Sequence, residues 1–198
     1  MNSSSSSNVI GGLVGAMALI GGKTGDADNV GLISDSYAYT SITSKGNGNY
    51  IGGLLGGANY ITSDLSPRAL NLVKKSYAIG SISSTDTNST IGGLIGINIG
   101  DTVQSSYSSV KLTFDKTSTV GGLIGENRQN TVYASDFWDT SLNLGLNAVG
   151  KGNQGGATGL STTQIRTLMT WPLNSILSGV QSPDLYASFN PLNLAPLK

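Results

Sequence analysis

The sequence predicts an all-β fold: a β-solenoid of about four rungs with insertions, followed by a short helix and an irregular capping tail. Three observations support this prediction. A seven-residue glycine motif occurs four times, a Ser-Tyr motif alternates with it, and the 198-residue chain combines 28 glycines with only 11% charged residues. A chain rich in glycine, with Ser, Thr and Asn in place of charge, is typical of short strands joined by tight turns.

The glycine motif has the pattern apolar-Gly-Gly-Leu-apolar-Gly and lies within residues 9–15, 50–56, 90–96 and 119–125. Four tandem copies indicate a repeat architecture in which each copy stacks on the next. Glycine inside a strand often marks a bend or a close approach of two backbones, so we expect a corner of the coil here. The candidate structural glycines are Gly11, Gly12, Gly52, Gly53, Gly92, Gly93, Gly121 and Gly122.

The Ser-Tyr motif begins at residues 36, 76 and 106, with a degenerate fourth copy at residue 135. After each tyrosine, small or apolar residues alternate with larger or polar ones, which predicts a strand with one face inside the coil. The tyrosines hold equivalent places and should stack as an aromatic ladder. This ladder either covers the coil, which we favour, or forms a strip that binds a glycan or a protein. Its members are Tyr37, Tyr77 and Tyr107.

The spacing of the two motifs locates two insertions. The basic unit is 121−92 = 29 residues long, but the distance from the second glycine to the next Ser-Tyr motif varies. It is 36−12 = 24 and 76−53 = 23 in the first two copies, and 106−93 = 13 and 135−122 = 13 in the last two. The extra 10–11 residues fall within 16–33 and 57–73. Insertions at one point of a repeat usually form loops on one face, which is often the binding face.

The repeat is predicted to span residues 1–140 and to continue into a C-terminal part of the same domain, residues 141–198. This part is predicted to be a Gly/Asn loop, a short helix and a capping tail. Ser161 and Gln164 match a helix-capping box. Ile165, Leu168 and Met169 follow at helical spacing, and Pro172 is expected to end the helix.

The composition excludes several kinds of chemistry. Formal net charge is zero, which disfavours nucleic-acid binding. The absence of His and Cys excludes serine–histidine catalysis, histidine-zinc sites and thiolate chemistry. Residues 22–24 are similar to the end of a phosphate-binding loop, but Met17 stands where that loop requires glycine. We therefore predict no cofactor and no enzymatic activity. The apolar run at residues 9–20 is too short to cross a bilayer.

Carboxylates could still pair at a cleft or hold a cation. A glycosidase would need two acids flanking one site, and a calcium site would need a dense set of oxygen ligands. We expect turn-forming or turn-capping roles instead, although Asp26 and Asp28 could still bind calcium. The candidate pairs are Asp26 and Asp28, Asp35 and Asp64, and Asp136 and Asp139.

The glycine strand, followed by Ser-Tyr-Ala and a turn rich in Gly, Ser and Asn, resembles the GLUG motif of large bacterial surface proteins. These include filamentous-haemagglutinin-like adhesins and the non-catalytic regions of some immunoglobulin A peptidases. Residues 137–171 are similar to the segment that often follows such arrays. The resemblance covers roughly residues 9–171 and implies a bacterial, extracellular or cell-surface location.

The leading functional prediction is a non-catalytic structural and adhesive module of a secreted or cell-surface adhesin, which presents loops for attachment. We expect its partner to be a host glycan or surface protein, or a further copy of the chain. We expect no nucleic-acid binding and no membrane insertion. The alternatives are a self-assembling stalk or surface-layer subunit, a non-catalytic module of a surface peptidase and, less favoured, a β-helix enzyme that degrades polysaccharide. Because the chain opens one strand before the first glycine motif, we also expect it to belong to a longer array, in which case Met1 need not be native.

Overall fold

The computed structural model describes residues 1–17, 31–58, 71–85, 87–128 and 133–170. Within these ranges every strand pairing is parallel and the single helix is short, so the predicted all-β fold is confirmed. Several predictions fall outside the described residues. They concern Asp26 and Asp28, Asp64, Pro172 and the capping tail.

The strands, numbered in chain order, form four parallel sheets, which we name A to D. Sheet A contains β1 (Asn2–Ser3), β5 (Tyr37–Ser44), β9 (Tyr77–Ser84), β13 (Tyr107–Phe114), β17 (Phe137–Asp139) and β19 (Thr158–Leu160). Sheet B contains β2 (Val9–Gly11), β6 (Tyr50–Gly52), β10 (Thr90–Gly92) and β14 (Thr119–Gly121). Sheet C contains β3 (Val14–Met17), β7 (Leu55–Ala58), β11 (Ile95–Ile99), β15 (Ile124–Arg128) and β18 (Val149–Gly152). Sheet D contains β4 (Leu32–Ser34), β8 (Leu72–Lys74), β12 (Thr102–Gln104) and β16 (Tyr133–Ala134).

Consecutive strands of the chain belong to sheets A, B, C and D in turn, and each such circuit of four strands is repeated, which makes the fold solenoid-like. After β5 in sheet A it forms β6 in sheet B, β7 in sheet C and β8 in sheet D, and it then returns to sheet A beside β5 as β9. Strands from successive circuits are therefore hydrogen-bonded neighbours in each sheet. Repeated sequences placed in this way bring identical residues side by side.

The two sequence motifs set the register of the pairing. In sheet B, Gly52 pairs with Gly11 on one side and Gly92 on the other. In sheet A, Tyr77 pairs with Tyr37 and Tyr107. The second glycine of each motif lies in the bend between sheets B and C, the corner expected from the sequence.

The core lies inside the four sheets and follows the predicted alternation. In β5, Ala38, Thr40 and Ile42 are buried, whereas Tyr37 and Tyr39 point outward and are exposed. Successive side chains of a strand point to opposite faces, so one face of sheet A closes the core. The remaining core is formed by branched aliphatic residues of the other sheets and of the bends between sheets B and C, including Ile51, Leu54, Leu55, Val73, Ile91, Leu94, Ile95, Val103, Leu123 and Ile124.

The predicted Gly/Asn loop, residues 141–159, is irregular over 141–148 and 153–157, but two strands that were not predicted interrupt it. β18 pairs with β15, placing Val149 beside Ile124, and β19 pairs with β17. Val149 is fully buried, and Asn147 and Ala148 accept hydrogen bonds from the preceding glycine corner. One buried valine followed by glycine is enough to continue sheet C, although the Gly-Gly-Leu part of the motif is missing.

The predicted helix is present as α1 (Thr162–Thr170). Its capping box is formed, since Gln164 N donates to Ser161 Oγ at 3.2 Å and Ser161 N donates to Gln164 Oε1 at 2.8 Å. In the described part of the chain, no helix has the length and apolar character needed to cross a membrane.

Candidate functional site

The tyrosine ladder (Tyr37, Tyr77 and Tyr107) lies on the outer face of sheet A. Ring centroids are 5.3 Å apart between Tyr37 and Tyr77 and 5.0 Å apart between Tyr77 and Tyr107. The planes differ by only 10° and 11°. Parallel strands in register are about 4.8 Å apart, so equal side chains on adjacent strands are held at stacking distance.

Stacking leaves the three rings with different access to solvent. Tyr77 is only 4% exposed, although it belongs to the outer face, because Tyr37 and Tyr107 cover its ring on both sides. Burial, with a smaller electrostatic effect of Tyr37, raises the pKa of Tyr77 to about 12. Its hydroxyl group therefore stays protonated at physiological pH. The middle of the ladder covers the coil, and contact with a ligand would fall mainly to Tyr37.

A second tyrosine extends the exposed aromatic surface at this end of sheet A. Tyr39 follows Tyr37 on the same outer face, and the two side chains are 60% and 55% exposed. The sequence pattern places Tyr39 outside the coil but does not single it out, because the next copies carry Ile79 and Ser109 at its position. Neighbouring exposed aromatic side chains are common in recognition surfaces.

The serine of each Ser-Tyr motif stabilises the corner between sheets D and A. Ser36 N donates to Ser76 Oγ at 3.3 Å, and Ser76 N donates to Ser106 Oγ at 3.2 Å. Ser106 N then donates to Asp136 Oδ1 at 2.8 Å. The residue before each of these four has a left-handed backbone, with φ between 48° and 58°. Side chains that bond to backbone in this way satisfy groups exposed by a sharp turn. Asp136 therefore has a turn-capping contact.

The corner between sheets A and B contains a comparable set of hydrogen bonds, which the sequence pattern does not predict. Asn8 N donates to Asn49 Oδ1 at 2.8 Å, and Asn49 N donates to Ser89 Oγ at 3.1 Å. The Asn49 amide also donates to Ser44 Oγ at 2.9 Å and to Gly46 O at 2.7 Å. Ser89 is too short to make the equivalent bonds. Accordingly, Ser84 Oγ is buried without a hydrogen-bond partner in the described part of the chain.

We expect Ser89→Asn to stabilise the protein by about 1 kcal/mol, because its amide would donate to the buried Ser84 hydroxyl as Asn49 does to Ser44. The new Oδ1 would keep the bond that Asn49 N now makes with Ser89 Oγ. Urea denaturation followed by circular dichroism would measure the gain. The double variant Ser84→Ala, Ser89→Asn serves as the control, since removing the hydroxyl should abolish that gain. Equal stability of wild type and Ser89→Asn would contradict this reading of the corner.

The charged residues of sheet C form a compact ion-pair group. Glu126 is 7% exposed, and Arg128 Nε and Lys151 Nζ lie 3.1 Å and 3.3 Å from its Oε1. Burial would raise the pKa of Glu126, but the hydrogen bonds and positive charges of Arg128 and Lys151 outweigh that effect and lower it. The hydrogen bond to Glu126 correspondingly raises the pKa of Arg128. The carboxylate thus stays ionised and paired at neutral pH.

The other candidate carboxylates do not meet at a common site in the described residues. Asp35 lies in the D-to-A corner with φ of 49°. Asp139 is buried and accepts hydrogen bonds from Ser109 Oγ at 3.0 Å and Ser141 N at 3.0 Å. It also accepts one from Thr162 Oγ1 at 2.8 Å, which fastens α1 to sheet A. Among the residues that the structure describes, no group of three or more acidic side chains could hold a metal ion.

The two insertions enter the fold at the same corner, between sheets C and D. Ala58 pairs with Asn98, and Leu72 pairs with Thr102. Between Ala58 and Leu72 there are 71−58 = 13 residues, whereas between the equivalent Asn98 and Thr102 there are only 101−98 = 3. The first insertion lies between β3 and β4, which pair with β7 and β8. Inserted residues of different length thus leave the strand register unchanged on both sides.

Comparisons with known proteins identify no relative: no protein-family model, no curated protein and no solved structure matches this chain.

Proposed function

We propose that the chain is a β-solenoid of about four rungs that serves as a structural and adhesive module of a bacterial secreted or cell-surface adhesin. The observation that carries this proposal is the shared entry point of the insertions at the corner between sheets C and D. A corner that accepts 3 or 13 residues without a change of register lets contact residues vary while the scaffold is preserved. The similarity of the repeats to the GLUG motif adds to this proposal.

Binding fits the described side chains better than catalysis does. The polar groups of the corners are engaged in hydrogen bonds to neighbouring backbone, as in the Ser76 and Asn49 sets. Glu126 is paired with two cations, and Asp139 fastens α1. A catalytic carboxylate needs a free position beside a substrate and a second group that acts with it. These carboxylates instead have structural partners.

The partner we propose is a host glycan or a surface protein, met outside the cell. The outer face of sheet A is poor in charge and carries exposed hydroxyl groups, among them those of Ser41, Ser81 and Thr113. Ser41 lies on the same strand as the exposed rings of Tyr37 and Tyr39, and Ser81 pairs with Ser41. Such a surface suits neutral, hydroxyl-rich ligands, which combine apolar ring faces with hydrogen-bonding groups. The inserted residues would add contacts of their own.

Shortening the second insertion tests the proposal. Deleting residues 60–69 leaves three residues between Ala58 and Leu72, as there are between their partners Asn98 and Thr102. Gly100, in the middle of that connection, has φ of +85°, so the deletion should include Leu70→Gly. We expect this variant to melt cooperatively near the wild-type temperature. Beads coated with it should attach less to a mammalian glycan array and to epithelial cell layers than beads coated with wild type.

A matched variant separates the sequence of the insertion from its length. It keeps all residues of the segment 60–69 but in scrambled order, and it should fold and attach as weakly as the deletion variant. Undiminished attachment of both variants, or wild-type beads that bind neither glycans nor cells, would contradict the adhesive role. Release of reducing sugar from a polysaccharide panel by the purified protein would instead favour an enzyme.

A further inference from the structure

The corner between sheets A and B contains an Asn-Gly pair, Asn47 and Gly48, in the segment that joins β5 to β6. Asn47 is the only asparagine of the sequence that a glycine follows. Asparagine deamidates when the backbone nitrogen of the next residue attacks the carbon of the side-chain amide. Glycine has no side chain to hinder that attack, and it leaves the backbone free to reach the required geometry. Because Asn47 is also exposed to solvent, its amide is accessible to this reaction.

The next circuit binds both reacting groups of this pair. Gly48 N donates to Thr87 O at 3.0 Å, and Thr87 N donates to Asn47 Oδ1 at 3.3 Å. Attack requires Gly48 N to lose its proton and to approach Cγ of Asn47. As long as the N–H group and the amide oxygen are both bonded to Thr87, neither group is free to react. Stacking of the two corners thus protects Asn47.

The protection depends on contacts that can open without unfolding the chain. The bond between Thr87 and Asn47 is exposed, and so is the bond of 3.1 Å from Asn47 N to Ser6 Oγ on the other side. Neither Asn47 nor Thr87 lies in a strand. Exposed turns open locally at a lower free-energy cost than the sheets that they connect. Asn47 should therefore become reactive whenever the adjacent corners separate.

We propose that Asn47 is a site of spontaneous deamidation and that its stacking on Thr87 sets the rate. When the corner is open, Gly48 N gives its proton to hydroxide and forms a bond to Cγ of Asn47. The C–N bond of the side chain breaks, and its nitrogen takes a proton from water and leaves as ammonia. A water molecule then opens the five-membered imide at one of its two carbonyl carbons, which gives aspartate or isoaspartate. The new carboxyl group ionises and adds a negative charge to a chain of zero net charge.

The two products should affect the corner differently. In aspartate, a carboxylate oxygen takes the place of Oδ1 and can still accept the bond from Thr87 N. In isoaspartate, the main chain runs through the former side chain and is one carbon longer before Gly48. That extra carbon displaces Gly48 N from Thr87 O, or Tyr50 from its pairing with Thr90. Isoaspartate should therefore prevent the corner from closing, so that an opening event leaves a permanent change.

Accelerated ageing of the full chain tests this proposal. The chain is kept in mildly alkaline buffer, either folded or unfolded in urea, and residue 47 is followed by peptide mass spectrometry. We expect wild type to deamidate at least about tenfold more slowly when folded than in urea. Folded Thr87→Pro should react at least about threefold faster than folded wild type, because proline has no N–H group to hold Asn47 Oδ1.

Thr87→Ala is the matched control for the proline variant. Both bonds use backbone groups of residue 87, so alanine should leave the rate of the folded chain unchanged. In urea all three chains should react alike, because residue 87 then has no contact with Asn47. The comparison of folded with unfolded wild type stays decisive even if Thr87→Pro does not fold.

The stability of the aged chain provides a second readout. Ion exchange separates the modified fraction, which should melt below Asn47→Asp because it contains isoaspartate, whereas Asn47→Asp should melt like wild type. The proposal would be overturned by equal rates in folded and unfolded wild type or by the absence of deamidation in urea. Equal rates in folded Thr87→Pro and Thr87→Ala, or wild-type melting of the isoaspartate fraction, would overturn it as well.

Discussion

Gly53→Val is expected to destabilise the protein by about 3–5 kcal/mol, enough to unfold a marginally stable chain. A β-carbon at Gly53 would lie 2.8 Å from Ala78 Cβ and 3.1 Å from Val110 Cγ2, and it would overlap the carbonyl oxygen of Gly93. The Gly93 carbonyl belongs to the next circuit, in the bend between β10 and β11, and strand pairing fixes both of these strands against their neighbours. Relief of the overlap therefore requires adjacent circuits to separate. Urea denaturation monitored by circular dichroism would measure the loss.

Gly156→Val is the matched control for that substitution. No atom lies within 4 Å of a β-carbon built at Gly156, so the same change of residue should cost little. Gly93→Val should behave like Gly53→Val, because its β-carbon would meet the Ser108 side chain and the Gly122 carbonyl. Unchanged stability in both corner variants would show that the glycines are tolerated at the corner and not required there.

Asp139→Ala is expected to cost about 2–4 kcal/mol and to release α1 from sheet A. The carboxylate is buried and accepts hydrogen bonds from Ser109, Ser141 and Thr162. Alanine would leave these partly buried donors without their shared acceptor. Urea denaturation gives the loss of stability, and hydrogen exchange of the amides in residues 162–170 reports on the release of the helix.

Asp115→Ala controls for the loss of a carboxylate. Asp115 also caps a turn, since its Oδ1 accepts a hydrogen bond from Thr117 N at 2.9 Å, but that bond is exposed. Its removal should have a smaller effect and should leave exchange in α1 unchanged. A wild-type exchange rate of α1 in Asp139→Ala would contradict the anchoring role of Asp139.

The strand register of the repeats could be predicted because the same residues recur at each circuit. Gly52 and Tyr77 each have neighbours of their own kind in sequence, and each pairs with those neighbours in the structure. The insertion corner was also predictable, since only its length varies. β18 could not be predicted, because Val149 and Gly150 keep only the end of the glycine motif.

The hydrogen-bonded corners escaped prediction for a different physical reason. Asn49 and Ser89 are different residue types that accept the same backbone bond, so sequence similarity does not reveal their equivalence. The anchor of α1 joins Asp139 to Thr162, which lies 23 residues later and outside the repeat, so no other copy contains an equivalent pair to compare with it. Exposure of Tyr37 and burial of Tyr77 depend on the neighbouring strand, although their local sequences are alike.

Spin labels on sheet A test the central claim, parallel stacking of the repeats in register. The chain has no cysteine, so pairs of cysteine variants can be labelled selectively. Ser41 pairs with Ser81, and Ser81 pairs with Lys111, all on the outer face. The labelled backbone positions on adjacent strands should lie about 4.8 Å apart, and positions 41 and 111, two strands apart, about 9.6 Å apart. We expect strong spin exchange for 41/81 and 81/111 and clearly weaker coupling for 41/111. Absence of exchange in both adjacent pairs, or the strongest coupling in 41/111, would contradict the stacked parallel fold.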